Sequence, residues 1–92
     1  MDELQNAFTE AVNALIDNGW YYPIRFVALA VNGVLLSGYY EAKLGGGARM
    51  VITHAPGSDD VFAFPTHVMF INPAGDAVRV KITGSEKPLT YH

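Results

Sequence analysis

Residues 25–40 read RFVALAVNGVLLSGYY, with Asn32-Gly33 at the midpoint. Asn-Gly is the dipeptide best suited to a two-residue type I′ turn, whose central residues both need positive φ. That turn predicts a hairpin in which Val31 opposes Val34, Leu29 opposes Leu36 and Val27 opposes Gly38. One face then carries Val27, Leu29, Val31, Val34 and Leu36. The other carries Phe26, Ala28, Ala30, Leu35 and Tyr39, with Ser37 as its polar interruption. An antiparallel sheet commonly keeps one face in water, so a hairpin apolar on both faces asks for two covers.

One cover is visible upstream. Leu4, Phe8, Ala11, Val12, Leu15 and Ile16 follow helical spacing and form a single apolar stripe. Asp2 and Gln5 have capping-box spacing, and Asn18-Gly19 is a left-handed stop. The pattern predicts a helix over residues 3–17, its stripe set against Val27, Leu29, Val31, Val34 and Leu36.

Downstream, the chain reads as strands and turns. Strands are expected at 24–31, 34–43, 48–54, 61–71 and 77–83, with Pro65 at a bulge or edge. Gly45-Gly46-Gly47 is a flexible reversal, and Ala55-Pro56-Gly57-Ser58 fits a type II turn. Asn72-Pro73-Ala74-Gly75-Asp76 fits a type I turn closed by a glycine bulge. That loop pairs Phe70 with Val78, Val68 with Val80 and Thr66 with Ile82 on the core side. It places Ile71 with Ala77, Met69 with Arg79 and His67 with Lys81 on the other.

The fold class is therefore α+β, an N-terminal helix packed on one face of a five-stranded antiparallel meander. Residues 1–83 make one domain, and residues 84–92, GSEKPLTYH, read as a flexible C-terminal tail. A helix followed by such a meander resembles the cystatin-like roll, in which a sheet curls around one helix. The QxVxG loop of inhibitory cystatins has no counterpart, since the first hairpin turn reads VNGV. The resemblance implies a fold and carries no activity.

Composition narrows the function classes. Of 92 residues, 50% are hydrophobic and 16% charged, against roughly 25% charged in typical soluble domains. A small domain with so little charge is expected to keep part of its surface out of water. A net charge of −3 with no basic run argues against a dedicated polyanion binder. Cysteine is absent, which removes disulfides, thiolate metal sites and cysteine nucleophiles. MDELQ does not read as a signal peptide, and the apolar run 26–31 is too short to span a bilayer. The expectation is a cytoplasmic protein with no cofactor.

Candidate chemistry is sparse. His54, Asp59, Asp60 and His67 supply ligand types for a divalent metal but match no ligand spacing, so no metal site is predicted. Ser58, His54 and Asp60 lack the strained elbow of a serine nucleophile. The run KLGGGAR leads into a strand rather than a helix N-terminus, so it is not read as a phosphate cradle. Trp20-Tyr21-Tyr22-Pro23 is read as a plug at one end of the core. No catalytic constellation emerges, and the chain is not expected to be an enzyme.

The reading that follows is a protein-interaction domain, self-associating as a homodimer or binding another protein through its outer sheet face. That interface is predicted to comprise Phe26, Ala28, Ala30, Leu35, Tyr39, Met69, Ile71, Arg79 and Lys81. A ligand cavity between helix and sheet, lined by Phe8, Tyr21, Phe62 and Phe64, is one alternative. Single-stranded nucleic acid on the sheet face is the other, weakened by the missing RNP motif.

Overall fold

The computed structural model describes residues 2–57, 61–83 and 89–90. Helix α1 (Asp2–Asp17) is followed by β1 (Ile24–Ala30), β2 (Leu35–Ala42), β3 (Ala48–His54), β4 (Val61–Phe62), β5 (Thr66–Ile71), β6 (Ala77–Ile82) and β7 (Leu89–Thr90). This is an α+β arrangement of one helix and an open five-stranded antiparallel sheet.

The helix ends as its sequence dictates. Gly19 takes φ +95, the Gly19 N–H donates to Ile16 O, and the Trp20 N–H donates to Leu15 O. These two bonds form a Schellman stop, satisfying carbonyls that the last turn leaves open. Trp20 and Leu15 both pack against the core, so the cap also seats the first residue of the aromatic cluster.

The first hairpin departs from the expected turn by one residue. The Ala30 N–H donates to Val34 O and the Gly33 N–H donates to Ala30 O, both at 2.9 Å. Gly33 takes φ +86, whereas no non-glycine residue among those described has positive φ. The loop is thus Val31-Asn32-Gly33, a type I turn closed by a glycine bulge, instead of a two-residue type I′ turn. Leu29 now pairs with Leu35, Val27 with Ser37 and Phe26 with Gly38. A one-residue slip exchanges the faces of a strand. The exchange falls wholly on β1: Ile24, Phe26, Ala28 and Ala30 point inward, and Val27 and Leu29 point out.

Packing accounts for that choice. Phe26 sits opposite Gly38, where any Cβ would fall on the Val51 carbonyl oxygen and lie 3.0 Å from the Phe26 ring. The missing side chain is the space that Phe26 occupies. Its ring meets Phe8 edge-on at 5.4 Å and lies 5.9 Å from Tyr40, while Phe8 also meets Phe70 at 6.2 Å. Phe8, Val12, Leu36, Phe62 and Val68 complete a core buried to about 1% or less. Small Ala28 and Ala30 lie within this same cluster, leaving room for the aromatics above them.

The strand order is β3-β2-β1-β5-β6, which replaces the expected meander. Phe26 pairs with Phe70 and Ala28 with Val68 across β1 and β5, so the chain must cross from the β3 edge to the far side of β1. The segment expected as one strand over 61–71 is split to make that crossing. Phe62 is fully buried in the core and Phe64 packs against it, so the crossing lies on the helix side. Thr66, also buried, donates its hydroxyl to Ala63 O at 3.0 Å as β5 begins.

β4 pairs with β7, Val61 to Thr90 and Phe62 to Leu89. Part of the segment read as a tail is therefore a short strand, while residues 84–88 and 91–92 lie outside the described residues. The second hairpin has the expected register at every position from Phe70–Val78 to His67–Lys81. Gly75 at φ +91 and an Asp76 N–H bond to Asn72 Oδ1 hold its loop. The proposed Ala55–Ser58 turn lies partly outside the described residues.

Two stability predictions follow from these contacts. Within the Val31-Asn32-Gly33 loop only Gly33 has positive φ, so Gly33→Ala should cost about 1 kcal/mol or more. Asn32→Ala, which removes one 3.3 Å bond from the Val34 N–H, should cost about 0.5 kcal/mol. Urea unfolding giving equal large losses at both positions would restore the two-residue turn.

The second concerns Tyr40, whose hydroxyl is buried without a hydrogen-bond partner. Burial raises its pKa above the ordinary tyrosine value of 10.0. Thr9 acts in the opposite direction without reaching hydrogen-bonding geometry, and Tyr22 adds to the rise. The folded protein therefore holds this proton more tightly than the unfolded chain. That stabilisation is complete below pH of about 10 and is lost as pH rises from there through the folded value. Tyr40→Phe should flatten the fall in unfolding free energy above about pH 10 and cost nothing at neutral pH. Equal slopes for both proteins would remove Tyr40 from the alkaline transition.

Candidate interaction surface

The face of the sheet turned away from the helix is built from the alternate positions of five strands, four of which carry its three central rows. Ser37, Val27, Met69 and Arg79 stand in one row across β2, β1, β5 and β6. Leu35, Leu29, His67 and Lys81 form the next row, and Tyr39, Arg25, Ile71 and Ala77 the one on the other side. The centre is aliphatic: Val27 is 42% exposed, Leu29 49% and Leu35 39%. Val31, in the adjoining loop, is 68% exposed.

Two shallow depressions flank Val27. One, of about 390 Å³, is floored by Val27, Leu29, Val68 and Met69 and bordered by His67 and Arg79. The other, of about 330 Å³, lies between Arg25, Ser37, Tyr39 and Thr53 and reaches the backbone of Gly38. The β2–β3 register shifts at Ser37/Gly38, two residues that line this second depression. Such local kinks re-aim side chains near a sheet edge.

The predicted interface residues divide accordingly. Leu35, Tyr39, Met69, Ile71, Arg79 and Lys81 lie on this face, as their registers required. Phe26, Ala28 and Ala30 do not: they are 1%, 0% and 3% exposed in the core. The glycine-bulge loop turned them inward and brought Val27 and Leu29 out in their place. The signal that could have found this is the Phe26–Gly38 opposition, which only the shifted register creates.

The other candidates are dispersed. Phe8 and Phe62 are fully buried, Phe64 is half-buried against the core, and Tyr21 is 56% exposed. The four proposed cavity residues therefore share no common lining. His54 lies on β3 and His67 on β5, three strand spacings apart, a separation of about 14 Å. That is too far for one metal ion, and Ser58, Asp59 and Asp60 lie outside the described residues. Among the described residues no helix is long and apolar enough to cross a membrane.

Charge is segregated between the layers. Arg25, Arg49, Arg79 and Lys81 all take outer-face positions, with Glu41 as the acid among them. The Arg49 Nε donates to Glu41 Oε1 at 2.9 Å. Among the described residues, Arg25, Arg79 and Lys81 have no carboxylate within salt-bridge distance. Helix α1 carries Asp2, Glu3, Glu10 and Asp17 and no lysine or arginine. Among the described residues, four cations less one carboxylate leave this face three net positive charges, on a chain whose net charge is −3.

The chain matches no family model, no curated protein and no solved structure in comparisons with known proteins.

The face assignment is open to a direct measurement. Leu29→Glu places a charge on an exposed position beside His67 and should change stability by about 1 kcal/mol or less. Ala28→Glu, one residue away, buries an unpaired charge and should cost more than about 3 kcal/mol, or prevent folding. Thermal melts showing the reverse order would restore the two-residue register.

Proposed function

We propose that this chain is a protein-interaction domain that docks through the outer face of its sheet. The observation that carries the reading is the exposed aliphatic centre formed by Val27, Leu29 and Leu35, on the side opposite the helix. Apolar area grouped this way is what soluble proteins cover with a partner. The core side is closed by the helix and the 61–65 crossing, so nothing in the described residues is left to cover it. Cations at Arg25, Arg79 and Lys81 around an apolar centre reproduce the usual division of an interface into core and rim.

Five strands at ordinary spacing give the face a footprint of about 24 by 20 Å. That is at the small end of protein interfaces, where association is reversible. The expected biology is a reversible contact, with a second copy and a different protein as the two kinds of partner. The helix-on-sheet arrangement is one that the cystatin-like roll shares, but nothing of that family's activity enters the proposal.

A photo-crosslinking residue placed at position 29 and, as control, at helix position 13 tests the face in living cells. Asn13 is exposed on the acidic layer. The expected result is a discrete product from position 29 that position 13 does not give and that Met69→Glu abolishes. Equal labelling from both positions would mean that the outer face is not a docking surface.

A further inference from the structure

We infer that the occupant of the outer face is a protein surface with acidic groups around an apolar centre, and not a second copy of this chain. The inference rests on the docking face proposed above and adds the chemistry of its partner.

Charge complementarity selects against a second copy and for an acidic surface. A face-to-face pair of identical copies sets three net positive charges against three more. Arg25 stands near the start of β1, in the row of Tyr39 and Ile71, and Arg79 and Lys81 line β6 at the edge. Turning one copy about an axis along the β1 strand sets Arg25 against Arg25. Turning it about an axis along the Val27–Met69 row sets Arg79 against Arg79. Like charges brought together in a partly dry interface cost free energy that the aliphatic centre must first overcome. Glu41, the one acid on this face among the described residues, is held by Arg49.

An acidic partner meets the opposite situation. Its carboxylates face Arg25, Arg79 and Lys81, and its apolar centre covers Val27, Leu29 and Met69. Arginine supplies a planar fork of donors to a carboxylate, so two of the three sites favour oriented pairing over diffuse attraction. The acidic helix on the other side of the sheet then adds orientation. An acidic partner is steered toward the sheet face and away from α1.

The test uses a partner made from the chain itself. In Arg25→Glu/Arg79→Glu/Lys81→Glu, exposed rim cations become anions while the apolar centre is unchanged, and circular dichroism checks that it folds. Fluorescently labelled wild type is mixed with this reversed copy at about 0.02 M and about 0.5 M salt, bracketing strong and weak screening. Association is expected at low salt and should weaken at least about tenfold at high salt. Wild type alone should associate more weakly than the mixture at low salt. The neutralised Arg79→Gln/Lys81→Gln variant should self-associate more readily than wild type.

Wild type pairing with itself as tightly as with the reversed copy would overturn the inference and make a second copy the occupant. No association of the mixture at either salt would overturn it too. Labelled single-stranded oligothymidylate, binding wild type at low salt more tightly than the reversed copy does, would make phosphates the occupant. These failures are separable from failure of the docking face itself. A position-29 crosslink to a second copy retains the face and rejects the acidic partner, whereas no selective crosslink rejects the face.

Discussion

The structure depends on Phe26 lying over the bare backbone of Gly38. A large aromatic on a central strand needs a neighbour without a side chain if the helix is to close above it. Gly38 is that neighbour, and a Cβ there would strike both the Val51 carbonyl and the ring. With Phe26 seated, its contacts to Phe8 and Tyr40 and its pairing with Phe70 tie together the helix, β2 and β5. Helix, first hairpin and second hairpin thus share one point of attachment. Aromatic contacts of this edge-on kind add to the burial of the rings themselves.

This single contact also decides which residues face outward. β1 pairs on both sides, so its inward set cannot be exchanged for its outward set without disturbing two registers. Fixing Phe26 inward fixes Arg25, Val27 and Leu29 outward. The exposed aliphatic face is thereby a consequence of core packing, with Val27 and Leu29 exposed because Phe26 and Ala28 are not.

Much of this was legible in residues 1–92, and the failures have definite causes. The helix stripe and its Gly19 stop were readable because both are local and periodic. So was the second hairpin, where Asn72 and Gly75 permit one loop geometry and the strands agree with it. The first hairpin was not, since Asn32-Gly33 suits either a two-residue or a three-residue loop and both faces of β1 are apolar. The dipeptide favoured the two-residue loop, the apolar alternation of β1 could not correct it, and the non-local packing of Phe26 on Gly38 and Phe70 made the other choice. The β1–β5 pairing was hidden for the same reason: strand adjacency across a long crossing leaves no periodic trace. The positive outer face was half visible, as Met69 beside Arg79 was read correctly while Arg25 was not counted among the outer residues.

The same cations bear on how an apolar face can stand exposed to water. Arginine and lysine stems lie along aliphatic surface while their charged ends stay in water. Arg79 is the cross-strand partner of Met69, and Lys81 that of His67 beside Leu29, so their stems are placed to shield the centre. β6 is also an edge strand, and basic residues on such an edge oppose strand-to-strand aggregation. One set of charges can therefore serve two ends. On the proposed reading it would keep identical faces apart by repulsion and leave the aliphatic centre accessible to a surface whose charge is opposite. A face lined with neutral polar residues would achieve neither, because it would weaken every association alike without distinguishing one partner from another.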